Sequence, residues 1–190
     1  RKLGSFSRIQ RIGDTPSSYV WKVTDAAGTV HEYGDFNSQN KKLDNSAGNI
    51  SYWPLLKSTD IHGNAIIYEY IRSNNFLYID KITYMDQSFE VDFIYKVNPR
   101  KDVVTNGRYG FFQKDELLLD MVEVKGSIAN FSEPYIRKYI PKYQGEGQAD
   151  DTGVIDGCID NEGRFHKTLL TTILEEYPQG THTGEIKHDF

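Results

Sequence analysis

Apolar and polar residues alternate along several stretches of the chain. In the clearest stretch, the apolar side chains on one face are Phe89, Val91, Phe93, Tyr95 and Val97. The positions between them include Glu90, Asp92 and Lys96. Such alternation is typical of a β-strand with one face against a core. The preceding run 76–84 alternates in the same way, and residues 85–88 between the two runs have the length of a hairpin loop.

Further short runs predict strands elsewhere, at residues 19–23, 66–70, 116–125 and 135–143. Residues 168–176 fit either a short helix or a strand, and their Thr and Ile content favours a strand. No segment carries apolar residues at i, i+3, i+4 and i+7 over three helical turns. The chain is therefore predicted to be all-β, with antiparallel hairpins forming a β-rich sheet or sandwich-like module and little helix.

A four-residue turn motif, Asp-x-x-Gly, occurs three times in the chain. The copies run from Asp25 to Gly28, from Asp60 to Gly63 and from Asp160 to Gly163. An Asp at the first position accepts hydrogen bonds from N–H groups of its own turn, and Gly adopts the positive φ that closes it. Strands with aromatic ends follow the first two copies, so each of these predicts a strand–turn–strand hairpin. We interpret the first and last residues of each copy as structural turn residues. They are Asp25, Gly28, Asp60, Gly63, Asp160 and Gly163.

Two longer segments resemble a known family. Residues 21–34, WKVTDAAGTVHEYG, and residues 53–70, WPLLKSTDIHGNAIIYEY, resemble two consecutive blocks near the N-terminus of SpvB-type proteins. These proteins include the B component of insecticidal toxin complexes and are related to YD/RHS-type shell proteins. Shorter matching blocks follow in the same order, at residues 78–84, 91–93, 100–102, 135–139 and 169–173. The resemblance covers about residues 5–177 and departs in residues 144–164, which are predicted to form a long acidic loop or insertion.

The resemblance implies a structural function. In toxin complexes this region belongs to a β-rich shell around a toxic cargo polypeptide, and enzymatic activity lies in a separate cargo domain. We therefore expect a non-enzymatic module of a bacterial toxin-complex or virulence protein, secreted or on the cell surface, without a cofactor or catalytic residue. Its expected partners are other segments of the same polypeptide and a cargo component. The isolated chain, with an unfinished sheet edge, is expected to self-associate.

Charge and composition limit the classes of partner and of fold that this chain can have. The chain has 190 residues and a formal net charge of −5, which argues against nucleic acid as its main partner. No apolar run approaches the roughly 20 residues of a membrane span. We expect a single module over 1–190, and we interpret the start of the chain at Arg1 as that of a piece cut from a longer protein or of a processed product. The single cysteine, Cys158, excludes an internal disulfide.

Other features leave alternatives open. Residues 150–162 carry five carboxylates, but no glycine stands where an EF-hand requires it, and a solvated acidic loop is favoured over a calcium site. The histidines do not cluster at metal-ligand spacing, and those near the C-terminus, His182 and His188, are expected to fray. Trp21 and Trp53 favour cross-strand packing over a carbohydrate platform.

Two rival functions remain. The first is a carbohydrate-binding or adhesion β-sandwich of a bacterial surface protein, which a row of exposed aromatic side chains would favour. The second is a hydrolase that uses Asp150, Asp156 or Glu162 as an acid/base pair, although no local motif supports it.

Overall fold

The computed structural model describes residues 7–34, 42–45, 48–97, 100, 102–126, 135–143, 167–179 and 182–189. Of residues 179, 182–186 and 189 it describes only the backbone. The chain divides into two compact units, Arg1–Ser88 with Asn106–Gln113, and Phe89–Thr105 with Lys114–Phe190. The expectation of a single module over 1–190 stays a prediction.

The prediction of an all-β fold is confirmed. Antiparallel strands make up most of the described residues, and their only helical element is a short 3₁₀ turn, Pro16–Ser18. Tyr, Ile, Val and Thr are common in these strands because their side chains fit a pleated, half-buried surface.

The first unit contains one antiparallel sheet with the order β1-β2-β3-β6-β7-β8. Its strands are β1 Arg8–Ile12, β2 Val20–Thr24, β3 Val30–Tyr33, β4 Leu43–Asp44, β5 Ile50–Tyr52, β6 Leu55–Thr59, β7 Ala65–Ser73 and β8 Phe76–Tyr84. Strands β4 and β5 pair separately as a short ribbon. Val20 and Pro54 are fully buried, and Leu43 and Tyr78 are nearly so.

A β-bulge changes the predicted phase of β8. Residues Glu69 and Tyr70 of β7 pair with Lys81 and Ile79, so Asp80 of β8 has no partner in the ladder. One extra residue reverses the in-and-out alternation on either side of it. Alternation along residues 76–84 predicts that Phe76, Tyr78, Ile82 and Tyr84 share one face. Instead, the two buried residues of β8 are Tyr78 and Thr83, and that prediction is wrong beyond the bulge.

The second unit contains a sheet with the order β9-β12-β13-β14-β15, antiparallel throughout. The strands are β9 Phe89–Tyr95, β12 Leu119–Gly126, β13 Arg137–Tyr143, β14 Leu170–Gln179 and β15 His182–Asp189. Between β9 and β12 lie the short strands β10 Val104–Asn106 and β11 Gln113–Asp115, which pair with each other.

Two expectations at strand ends are corrected. β9 ends at Tyr95 rather than Val97, and Val97 is 97% exposed. His182 and His188 were expected to fray, but both lie in β15, which is fully paired with β14. Backbone pairing along eight residues holds this segment in the sheet although it lies near the chain end.

Candidate functional site

The first Asp-x-x-Gly segment joins β2 to β3 in a hydrogen-bonded turn. Asp25 Oδ1 accepts hydrogen bonds from the backbone N–H groups of Ala27 and Thr29, both at 2.9 Å. The Gly28 N–H donates to the Asp25 carbonyl oxygen at 3.1 Å, and Gly28 has a φ of +88°. The carboxylate thus holds the turn closed, and the glycine supplies the left-handed backbone that the hairpin needs.

The second segment joins β6 to β7 with the same contacts. Asp60 Oδ1 accepts from the N–H groups of His62 and Asn64, at 2.8 and 2.9 Å, and Gly63 has a φ of +89°. The Asn64 side chain donates to the other carboxylate oxygen at 2.8 Å. This last hydrogen bond is the main reason that the pKa of Asp60 lies below its usual value. We propose that both turns direct hairpin formation.

The turn glycines allow a clean test. Gly63→Ala should lower the free energy of unfolding by about 1–2 kcal/mol, because an L-residue at positive φ is strained. A Cβ at position 63 meets no atom within 4 Å, so the effect isolates the backbone term. At Gly28 a Cβ would also approach Ile61 Cγ2 to 2.7 Å, which adds a steric term. Thermal unfolding followed by circular dichroism measures both losses.

Gly107→Ala is the matched control. Gly107 does not have a positive φ, and its added Cβ would lie 3.4 Å from the exposed Phe112 ring, which can move aside. Its melting temperature should match that of the unmodified chain. Equal melting temperatures for Gly63→Ala and Gly107→Ala would contradict the proposed role of the turns.

Several predicted features lie outside the described residues. They are the acidic loop or insertion 144–164 and the groups within it, namely the third turn, Asp160 to Gly163, the carboxylates Asp150, Asp151, Asp156 and Glu162, and Cys158. Their roles stay predictions.

Two tryptophans pack beside the first hairpin. Trp21 and Trp53 meet edge to face, with ring centroids 6.0 Å apart. Trp53 Nε1 donates to the Tyr19 carbonyl oxygen at 2.8 Å. Gly34, with a φ of +74°, passes so close that a Cβ there would lie 2.7 Å from Trp53 Cδ1. This is the packing arrangement that the sequence favours over a carbohydrate platform.

A buried carboxylate in the second unit was not assigned a role from sequence. Asp102, 4% exposed, accepts hydrogen bonds from Arg100 at 2.6 and 2.8 Å. It also accepts from the N–H and hydroxyl groups of Thr168, at 2.8 and 2.7 Å. The Arg100 hydrogen bonds are the main reason that the pKa of Asp102 lies far below its usual value. This Arg-x-Asp clamp ties the loop after β9 to the residues before β14.

Charged side chains also pair across one face of the second unit. Lys125 donates to Asp92 at 2.7 Å and lies 2.8 Å from Glu123, which in turn lies 3.0 Å from Lys138. The hydrogen bond to Asp92 is the largest cause of a raised Lys125 pKa. Burial opposes ionisation of Glu123, but the two lysines outweigh it and lower its pKa.

A Ser-His-Asp arrangement occurs on the first sheet. His31 and Ser58 are directly opposite in β3 and β6, with Nδ1 and Oγ 3.0 Å apart. Asp25 Oδ2 lies 3.7 Å from His31 Nε2, beyond hydrogen-bond distance. Because Asp25 already binds the turn amides through Oδ1, the arrangement serves as a cross-strand contact beside the turn.

No group of three or more His, Cys, Asp or Glu side chains within the described ranges is placed to hold a metal ion. Among the same residues, no helix has the length and apolar character needed to cross a membrane.

An open cleft of about 380 Å³ lies within the first unit. We call it the aromatic cleft, and the residues that define it are Ser51, Tyr52, Phe76, Asn106, Tyr109 and Gln113, together with two leucines. The loop 106–113 reaches it from between β10 and β11. Gln113 Nε2 donates to Ser51 Oγ at 2.7 Å, and Asn75 Nδ2 donates to the Phe112 carbonyl oxygen at 3.1 Å. These two hydrogen bonds hold the loop in place over residues distant in sequence.

The sequence matches one protein-family model over residues 1–114, more than half of the chain. Its description is "SpvB: Salmonella virulence plasmid 65kDa B protein". A search of curated proteins finds no significant match.

Solved structures share the fold. The N-terminal domain of effector protein SpvB from Salmonella typhimurium strain LT2 has a TM-score of 0.72 and 15% identity, over 94% of this chain and 68% of that one. A chain of the TcdB2-TccC3-Cdc42 crystal structure has a TM-score of 0.71 and 15% identity, covering 96% of this chain. The structure of the Photorhabdus luminescens Tc holotoxin pore has a TM-score of 0.71 and 15% identity, covering 95% of this chain. This chain spans only 11% and 10% of those last two chains.

Proposed function

The chain belongs to the SpvB family, and on that premise we propose that it is a non-enzymatic structural module of a bacterial toxin-complex or virulence protein. It forms part of a β-shell that encloses or presents a toxic cargo domain. Its partners are other segments of the same polypeptide and the cargo component, and the protein is secreted or displayed at the bacterial surface.

The burial pattern of the second unit carries this proposal. Every residue of β9 and β12 is half-buried, and none is fully buried or fully exposed. A sheet with one face on a core and the other in water shows buried and exposed residues in alternation. Partial burial on both faces is expected when further segments cover the sheet, as neighbouring walls and a cargo do in a shell.

The edge of the first unit supports the same proposal. Within the described residues, β1 has a strand on one side only, and two of its isoleucines, Ile9 and Ile12, are 66% and 38% exposed. An exposed apolar edge strand invites pairing with another strand. In a shell, a neighbouring segment of the same polypeptide occupies that edge.

The polar groups with the firmest contacts serve structure. Asp25 and Asp60 bind turn amides, and Asp102 binds Arg100 and Thr168. We therefore assign these carboxylates to hairpins and loops and give them no catalytic role.

Cysteine labelling on one strand tests the shell. Ile66 and Ile71 lie in β7 and are 39% and 36% exposed. They are five residues apart, so their side chains lie on opposite faces of the sheet. In the native polypeptide that contains this chain, with Cys158 replaced by Ser, each is changed to Cys in turn. A shell predicts that one position reacts with a polyethylene-glycol maleimide far more slowly than the other.

The 190-residue chain alone is the control, because both positions are exposed in it and should react at similar rates. Reaction with a small maleimide should show less difference between faces, since a small reagent enters an enclosed space more easily. Equal labelling of both faces by the bulky reagent in the native polypeptide would sink the shell proposal.

A further inference from the structure

The exposed aromatic side chains of the described residues lie together. Only three are strongly exposed, Tyr52 and Tyr109 at 51% each and Phe112 at 70%. The two tyrosines line the aromatic cleft, and Phe112 lies in the same 106–113 loop as Tyr109. Exposed rings that gather at one place mark a contact site more often than rings scattered over a surface.

The cleft also offers unused polar groups. Gln113 is 5% exposed and donates to Ser51 through Nε2, but within the described residues its Oε1 accepts no hydrogen bond. The Asn106 amide nitrogen and the hydroxyls of Tyr52 and Tyr109 likewise have no hydrogen-bond partner among those residues. The cleft therefore combines flat apolar surfaces with both donors and acceptors.

The lining of the cleft selects for a neutral ligand. Among the residues that the structure describes, no Asp, Glu, Lys, Arg or His side chain lines it. Its volume of about 380 Å³ lies at the small end of the range for ligand sites, roughly 300–1,000 Å³. A small neutral molecule with apolar C–H faces and a rim of hydroxyl groups matches these properties. We propose that the aromatic cleft binds a neutral saccharide of one or two rings, a binding function separate from the shell role.

The site is held in shape before any ligand arrives. The Gln113–Ser51 hydrogen bond continues through Ser51 Oγ, which donates to the Leu43 carbonyl oxygen at 3.1 Å. On the far side of the loop, Asn106 Oδ1 accepts from the Arg108 N–H at 3.0 Å. Rigid positioning of the polar groups reduces the entropy cost of binding.

Nuclear magnetic resonance titration of the isotope-labelled 190-residue chain tests the proposal. The probes are glucose, galactose, mannose, N-acetylglucosamine, lactose and maltose, each up to about 20 mM, since a single small site is expected to bind with a Kd of about 1 mM. At least one saccharide should shift the side-chain amide signals of Asn106 and Gln113 in a saturable manner. Tyr52→Ala and Tyr109→Ala should each weaken that binding about tenfold, or about 1.4 kcal/mol.

Matched variants separate binding from folding. Ile61→Ala removes an exposed apolar side chain, 70% accessible to solvent, that does not line the cleft, and its binding should be unchanged. Tyr109→Phe keeps the ring and removes the hydroxyl, so it should lose less affinity than Tyr109→Ala. The proposal is overturned if no probe shifts the cleft signals, if p-cresol binds there and no saccharide does, or if the alanine variants bind as well as the unmodified chain.

Discussion

Asp102→Ala should destabilise the second unit by about 3–5 kcal/mol, because it removes one partner of a buried ion pair. The change leaves the half-buried Arg100 guanidinium without its two short hydrogen bonds, and it releases both donors of Thr168. The loss is measured by urea unfolding followed by circular dichroism. Asp102→Asn should lose less, since its amide oxygen can still accept from Thr168.

Asp120→Ala is the control for charge removal alone. Asp120 also pairs with a cation, Lys96 at 3.0 Å, but 45% of its side chain is exposed. An exposed pair contributes less than about 1 kcal/mol, so this variant should unfold nearly as the unmodified chain does. Similar losses of unfolding free energy for Asp102→Ala and Asp120→Ala would show that the buried clamp stabilises the fold no more than an exposed ion pair does.

The pH dependence follows from the lowered pKa of Asp102. The folded carboxylate stays ionised where the unfolded one, with a pKa of about 3.9, takes up a proton. The clamp therefore contributes its full stability above about pH 4 and loses it progressively as the pH falls below that value. Asp102→Ala should show a flatter loss of stability with acid than the unmodified chain.

The pattern of apolar and polar residues predicted the strands well, because the alternation of a strand depends only on residues that are neighbours in the sequence. Residues Phe89 to Tyr95 form β9, which begins at the predicted residue. The first two Asp-x-x-Gly segments join paired strands, as predicted, since the hydrogen bonds of each turn lie within five residues. What the alternation missed was the bulge at Asp80, which depends on the pairing partner in β7 rather than on β8 itself.

The Arg-x-Asp clamp and the aromatic cleft depend on contacts between residues that are far apart in the sequence. Thr168 meets Asp102 across 66 residues, and Gln113 meets Ser51 across 62. Residues so far apart in the sequence form no motif, so neither contact can be predicted from the sequence alone. In the sequence, residues 100–102 carry a signal only through the family resemblance, and the structure supplies the physical role of that Arg-x-Asp segment.

Trp53→Ala should destabilise the first unit by about 3 kcal/mol, the low end for removing a large buried ring, because Trp53 is only half-buried. The change removes the edge-to-face contact with Trp21 and leaves the Tyr19 carbonyl without its donor. Trp53→Phe loses the donor but keeps an aromatic ring, although a smaller one, so it should cost less than Trp53→Ala. Thermal unfolding by circular dichroism, with Tyr109→Ala as an exposed aromatic control, measures the difference.

A double-mutant cycle with Gly34 determines whether Trp53 acts through this close packing. Gly34→Ala alone is strained twice, by its φ of +74° and by the 2.7 Å approach of a Cβ to Trp53 Cδ1. In the Trp53→Ala background the steric clash is gone and only the backbone strain remains. The two losses should therefore sum to more than the loss of the double variant, with a coupling of about 1 kcal/mol or more. Simple additivity would mean that the tryptophan relaxes away from Gly34 and that the hairpin tolerates a looser packing than the structure shows.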